Sequence, residues 1–263
     1  MIASKVRTQV NPWISVPQPL DQARIRLFCF PYAGGSSLIY RKWPEELPKE
    51  VEVLLLQLPG RGNRLHEPPF TQLAALMQAI GESILPYLNK PFAFFGHSMG
   101  ALICFELARY LRRVGGPTPA QLFLSGRPGP QILNDDPPTY DLPEDEFLEE
   151  LRRLNGTPLE VLAHPELMRL MIPLLRADFS VCETYAHKDE PPLSCPITAF
   201  GGLKDHEIPR EYLEAWREHT AAEFKLRMLP GDHFFLNSDQ PQLLRIVAQE
   251  LYHLVRKEGV GVV

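Results

Sequence analysis

Cysteine is scarce in this chain of 263 residues, which has only Cys29, Cys104, Cys182 and Cys195. No two of them form a C-x-x-C pair, and Cys29 and Cys104 sit in strongly apolar runs. That pattern suits neither a disulfide framework nor a zinc site, so all four read as buried or incidental thiols in a reducing compartment. Long apolar runs are missing as well: none approaches the ~20 residues that a membrane helix needs. The first twenty residues lack the apolar core of a signal peptide. A cytoplasmic protein with no membrane partner is the expectation. Positive charge is not in excess, since 27 Lys and Arg face 32 Asp and Glu for a net charge of −5. A mildly acidic chain is a poor candidate for nucleic-acid binding. G-x-x-x-x-G-K-[ST] and G-x-G-x-x-G are both absent, which argues against nucleotide phosphates in the glycine-rich segments. Internal repeats and low-complexity blocks are absent too.

What is present is the composition of an ordinary globular protein, 44% hydrophobic and 22% charged. The length fits one domain carrying an insertion. Residues 1–23 read as a loosely held, proline-containing arm, and residues 24–263 as the domain. Short apolar runs at Ile25–Phe30, Val51–Leu58, Phe92–Phe95, Gln121–Ser125, Ile197–Phe200 and Phe224–Leu229 read as strands. Ser37–Leu47, Thr71–Leu88 and Met99–Val114 read as helices between them. Val53–Leu56 and Phe92–Phe95 are apolar without interruption, as strands covered on both faces are. Alternating strand and helix predicts an α/β fold with a mostly parallel sheet. One connection breaks the rhythm. From Arg127 to Pro196 no convincing strand occurs, while Glu144–Leu154, Pro165–Arg176 and Ala177–His187 look helical, with Pro173 a kink or break. A crossover needs about a dozen residues, so the excess is an insertion, read as a lid over the strand ends or alternatively as a packing arm.

The segment Gly96-His97-Ser98-Met99-Gly100 follows an apolar strand and opens an amphipathic helix. In that context G-x-S-x-G gains meaning, because the small residues permit a sharp turn that lifts the serine hydroxyl above the sheet. A serine hydroxyl needs a base to take its proton, most often histidine. Of eight histidines, His233 stands out. It follows Phe224–Leu229 and the turn Pro230-Gly231-Asp232, at the strand end where site loops gather in a parallel sheet. A third group must accept a hydrogen bond from the imidazole. Asp205 lies just past the strand at Ile197–Phe200 and completes the chain order Ser…Asp…His. Asp232 adjoins His233, but adjacent side chains in an extended turn point apart. After Gln121–Ser125, another place for such an acid, the chain reads Gly126-Arg127 and offers none. Oxyanion stabilisation needs backbone N–H donors. The Met99 amide follows the nucleophile, and the loop Pro31-Tyr32-Ala33-Gly34-Gly35-Ser36 supplies the second from Ala33.

Taken together, Pro31–Ser36, Gln57–Arg64, Gly96–Gly100, Gly156-Thr157-Pro158, Leu175–Phe179, Cys195–Gly202 with Asp205, and Leu229–Leu236 resemble the type II thioesterases, a branch of the α/β-hydrolase fold. The resemblance runs from about Ile25 onward, in order. Gly96–Gly100 alone would not separate this family from lipases and esterases; Pro31–Ser36, Leu58–Gly62 and Leu175–Phe179 are far more specific. It implies a free-standing serine thioesterase that removes aberrant or stalled acyl groups from the phosphopantetheine arm of acyl or peptidyl carrier domains in polyketide or nonribosomal peptide synthesis. It also implies a triad of Ser98, Asp205 and His233, oxyanion donors Ala33 and Met99, a lid at about residues 133–188, and no metal or other cofactor. The alternatives are a carboxylesterase or lipase acting on oxygen esters, and a non-catalytic scaffold on a hydrolase fold. Arg61, Arg64, Arg109, Arg112 and Arg113 read as solvated surface charge, with a docking rim for an acidic carrier domain as the alternative.

Overall fold

The computed structural model describes residues 11–132, 137–154, 156–157 and 159–258. Seven strands form one sheet: β1 (Ile14–Ser15), β2 (Ile25–Phe30), β3 (Val51–Leu56), β4 (Phe92–His97), β5 (Gln121–Ser125), β6 (Ile197–Gly202) and β7 (Phe224–Leu229). Their order across the sheet is β1-β3-β2-β4-β5-β6-β7. All pairings are parallel except that of β1 with β3. The α-helices are α1 (Leu73–Ile84), α2 (Met99–Arg113), α3 (Glu144–Leu154), α4 (Leu159–Leu162), α5 (Pro165–Glu183), α6 (Arg210–Glu214), α7 (Phe235–Ser238) and α8 (Gln240–Glu258).

Side chains in a strand alternate between faces, and the core divides accordingly. Phe28, Phe30, Leu54, Leu56, Phe92, Phe94, Leu122 and Leu124 face α1 and α2. Leu27, Cys29, Val53, Leu55, Ala93, Phe95 and Phe123 face Tyr40, Trp43 and α8. Phe28, Phe30, Phe94 and Phe95 are fully buried sheet core, as their apolar context predicted. All four cysteines are free thiols, and burial pushes those of Cys29 and Cys104 well above the usual range. No described helix is long and apolar enough to cross a membrane.

The structure departs from expectation at three elements. Ser37–Leu47 is a pair of 3-10 turns, Ser37–Tyr40 and Trp43–Glu45, rather than an α-helix. Pro44 lacks the N–H that would continue the first turn, and Tyr40 is anchored by its hydroxyl, which donates to the Phe30 carbonyl at 2.9 Å. The helix pair expected around Pro173 is the single helix α5. Pro173 lies on its exposed side, as does Arg169, whose carbonyl loses its partner where water can replace it. The described part of the N-terminal arm is tied down. Its β1 pairs with Leu55 and Leu56, the Asn11 amide donates to the Ser83 carbonyl at 2.8 Å, and the Arg64 guanidinium lies 4.1 Å from the centre of the Trp13 ring. Residues 1–10 lie outside the described residues.

Between β5 and β6 the described residues form no strand, only α3, α4 and α5. These helices share a small core of Phe147, Leu151, Leu162, Met168, Ile172 and Leu175. The expected lid start, residues 133–136, lies outside the described residues.

Candidate active site

The turn from β4 into α2 is built by close approach. A Cβ on Gly96 would lie 2.1 Å from the Gly100 carbonyl carbon, and one on Gly100 would lie 2.3 Å from the Phe30 carbonyl oxygen. Only glycine fits at either place. Between them Ser98 has φ 53° and ψ −113°, the one positive φ outside glycine among the described residues. Such a conformation persists only where the surroundings enforce it, and it is typical of functional positions. The Ser98 amide donates to the Ser125 carbonyl at 2.8 Å, which fixes the turn to β5 and leaves the side chain half-buried at the strand end.

His233 arrives from the turn after β7. Its Nδ1 lies 2.8 Å from Oδ2 of Asp205. The Asp205 side chain is 1% exposed, and its other oxygen accepts the amides of Glu207 at 3.1 Å and Ile208 at 3.2 Å. The carboxylate is therefore aimed by three donors. Asp232 does not compete for the imidazole, since its Oδ1 accepts the Phe234 amide at 2.9 Å and stiffens the loop. Gly202 makes room for that loop: a Cβ there would lie 2.3 Å from the Asp232 carbonyl oxygen.

A cavity of about 330 Å³ opens beside these groups. Ser98, Asp205 and His233 all line it, as does Ala33. Ser98 and His233 share no hydrogen bond here; such bonds commonly tighten only around a bound substrate. The amides of Ala33 and Met99 have no acceptor among the described residues. For Met99, which starts α2, that is the normal state of a first-turn N–H. Leu151 and Leu154 of α3 and Leu175 and Phe179 of α5 give the cavity an apolar wall. Part of the insertion's apolar surface thus packs its own core and part faces the cavity.

The thioesterase domain family model matches residues 25–251. The chain belongs to the thioesterase family. It is 48% identical over 244 residues to the gramicidin S biosynthesis protein GrsT of Aneurinibacillus migulanus, covering 93% of this chain and 95% of that one. It is 47% identical over 261 residues to the linear gramicidin dehydrogenase LgrE of Brevibacillus parabrevis, covering 97% and 99%. Among solved structures, the RedJ thioesterase of the prodiginine pathway in Streptomyces coelicolor superposes with a TM-score of 0.83 at 40% identity, covering 90% of this chain and 94% of that one. The fold of this thioesterase is accordingly the α/β-hydrolase fold.

Two features of the structure of this thioesterase are not legible in the sequence. His97 is fully buried, with its ring centroid 5.0 Å from that of His233. Its Nδ1 lies 2.9 Å from the Ser125 hydroxyl. Burial, and secondarily the nearby His233, hold its pKa well below the usual histidine value, so the ring is neutral. Gly126 is what admits it: a Cβ there would lie 2.5 Å from the His97 ring. His97 thus fills the space after β5, the other strand end at which a triad acid could stand. The second feature corrects the reading of the arginines. Arg61 is 4% exposed and paired in bidentate fashion with Asp178. Arg64 is buried against Trp13 and bonded to Glu67 and the Gln57 carbonyl. Arg109 is buried, bonded to Glu106 and the Lys188 carbonyl. None of these three is solvated or free to dock a partner. Arg112 and Arg113, more exposed, both pair with Glu190.

Proposed function

We propose that this thioesterase hydrolyses acyl groups from the phosphopantetheine arm of acyl or peptidyl carrier domains, clearing aberrant or stalled chains in polyketide or nonribosomal peptide synthesis. The observation that carries the mechanism is the 2.8 Å Asp205–His233 hydrogen bond at a cavity also lined by Ser98. In this reading Asp205 holds the imidazole with Nδ1 protonated, leaving Nε2 free to act as the base. His233 takes the Ser98 proton as the oxygen attacks the thioester carbonyl. The Ala33 and Met99 amides stabilise the oxyanion, each donor contributing about 3–4 kcal/mol. The intermediate collapses to an acyl-serine as the C–S bond breaks, and the pantetheine thiol leaves with the proton from His233. Water, deprotonated by His233, then releases the acid and restores Ser98. These steps call on no metal or redox cofactor.

Residues 24–263 form the catalytic domain in this proposal, with the insertion at about 133–188 as its lid and the cytoplasm as its compartment. The free thiols support that compartment. The dehydrogenase name of one relative is not carried over, because the sequence contains no G-x-G-x-x-G for a dinucleotide. The test is hydrolysis of an acyl carrier domain, an acyl-CoA and an oxygen ester of matched chain length. Higher kcat/KM on the acyl carrier domain is expected, with Ser98→Ala and His233→Ala lowering kcat by about 10⁴-fold or more. Preference for the oxygen ester, or turnover that survives Ser98→Ala, would overturn the proposal.

A further inference from the structure

Three separated segments meet behind the Ala33 amide. Arg61 follows β3, Asp178 lies on α5, and Gly34 and Gly35 follow β2. The Arg61 guanidinium donates from Nη2 to Asp178 Oδ1 at 2.7 Å and from Nη1 to Oδ2 at 2.8 Å. Nη1 also reaches the Gly35 carbonyl at 3.0 Å. Asp178 Oδ2 in turn accepts the Gly34 amide at 2.7 Å. Both charged side chains are 4% exposed. Gln57 braces the same corner, accepting the Ser37 amide at 3.2 Å and donating to the Arg61 carbonyl at 2.7 Å.

A buried ion pair is a poor source of net stability, because desolvation offsets most of its attraction. What this pair does that an apolar pair cannot is grip the peptide groups on either side of the Gly34–Gly35 pair, the N–H entering Gly34 and the carbonyl leaving Gly35. The loop needs that grip. Gly34 sits at φ 74°, and it lies so close to α5 that a Cβ would be 2.6 Å from Leu175 Cδ2. Two adjacent glycines would otherwise leave the loop many conformations, and an oxyanion donor is effective only when held in place before reaction.

We propose that Arg61 and Asp178 are positioning residues that lock the Gly34–Gly35 turn and thereby aim the Ala33 amide at the developing oxyanion. This rests on the serine-hydrolase mechanism proposed above. It makes α5 part of the oxyanion machinery as well as a wall of the cavity, and it gives one physical reason for Arg61, Asp178 and the double glycine to occur together.

The test uses the full chain, an acyl thioester substrate, an alkylboronic acid that forms a tetrahedral adduct on serine, and a non-hydrolysable thioether analogue of the substrate. Arg61→Met with Asp178→Leu replaces the ion pair by apolar side chains and avoids leaving a lone buried charge. Arg61→Lys keeps the charge but cannot span both carboxylate oxygens and the Gly35 carbonyl. For each variant the expectation is a kcat lower by about 10- to 100-fold, with KM and thioether affinity within about twofold. Boronate affinity should fall by the same factor as kcat, with circular dichroism showing a folded chain. The proposal is overturned if folded variants keep wild-type kcat and boronate affinity. It is overturned equally if kcat and thioether binding decline together with the folded fraction. Wild-type turnover in the variants would remove the positioning role and leave the thioesterase reading intact; failure of that reading shows instead in the wild-type chain and in Ser98→Ala.

Discussion

Asp205 is the residue whose surroundings are most fully specified. Its carboxylate accepts two backbone amides and the His233 ring, so its orientation does not depend on substrate. An amide in its place offers an N–H to the imidazole from one rotamer and a single carbonyl from the other. It also cannot stabilise an imidazolium by charge. Asp205→Asn should therefore leave a folded protein with kcat lowered by about 10³- to 10⁴-fold; near-normal turnover would assign the acid elsewhere. His97 illustrates a different residue-scale point. It closes β4 just before Ser98, and its side chain lies fully buried on the other side of the turn. The fold places that other side beneath His233.

At the scale of elements, the decisive contact is α2 against β2. The helix can start directly above the sheet only because Gly100 lets its backbone touch the Phe30 carbonyl. In Gly100→Ala the obstructing atoms are backbone, which cannot swing aside as a side chain would. A loss of about 3 kcal/mol or more in unfolding free energy is expected, read from urea titration. Residual activity should fall further than stability, since displaced α2 carries Met99 with it. Unchanged stability would mean that the helix can shift without cost. The insertion shows the opposite behaviour of elements. Its helices were legible from apolar spacing, but their unity was not. Pro173 suggested two helices, and one continuous helix formed because the proline could sit on the exposed side.

Across the whole molecule, the histidines make stability depend on pH. Burial lowers the pKa of His97, with His233 adding to it. Burial followed by the Arg109 charge lowers that of His187. Burial, then His187 and Arg109, bring His219 down to about 4. In the unfolded chain each would titrate near its ordinary value, about 6.5. Between that value and the folded value the unfolded chain binds protons that the folded one refuses, so stability is full above about 6.5 and declines as pH falls toward 4. The Glu190 carboxyl acts in a lower window. Burial pushes its pKa up, but hydrogen bonds from Arg112, Arg109 and Arg113 outweigh this and bring it to about 2. Its contribution is lost only as pH falls below the ordinary carboxylate range. Urea midpoints measured at pH 7 and pH 5 should show the decline, and His219→Gln should make it shallower. An identical slope in that variant would remove His219 from the account.

The sequence by itself determined the parallel sheet, the sharp turn at Ser98 and the family, because each depends on short-range signals: unbroken apolar strands, glycines at fixed offsets and loops that follow strands in order. That Asp205 and His233 lie within hydrogen-bond reach was legible for the same reason, since each follows a strand whose end the parallel topology brings to one edge. Only the tertiary structure decided the fate of the arginines. A charged side chain looks the same in sequence whether water or a buried carboxylate receives it, and Arg61 finds Asp178 across 117 residues of chain. It likewise decided that the described arm is pinned by Trp13 and β1 and that Tyr40 and Trp43 pack from 3-10 turns. These outcomes turn on contacts between distant segments, where desolvation and close packing outweigh any local preference.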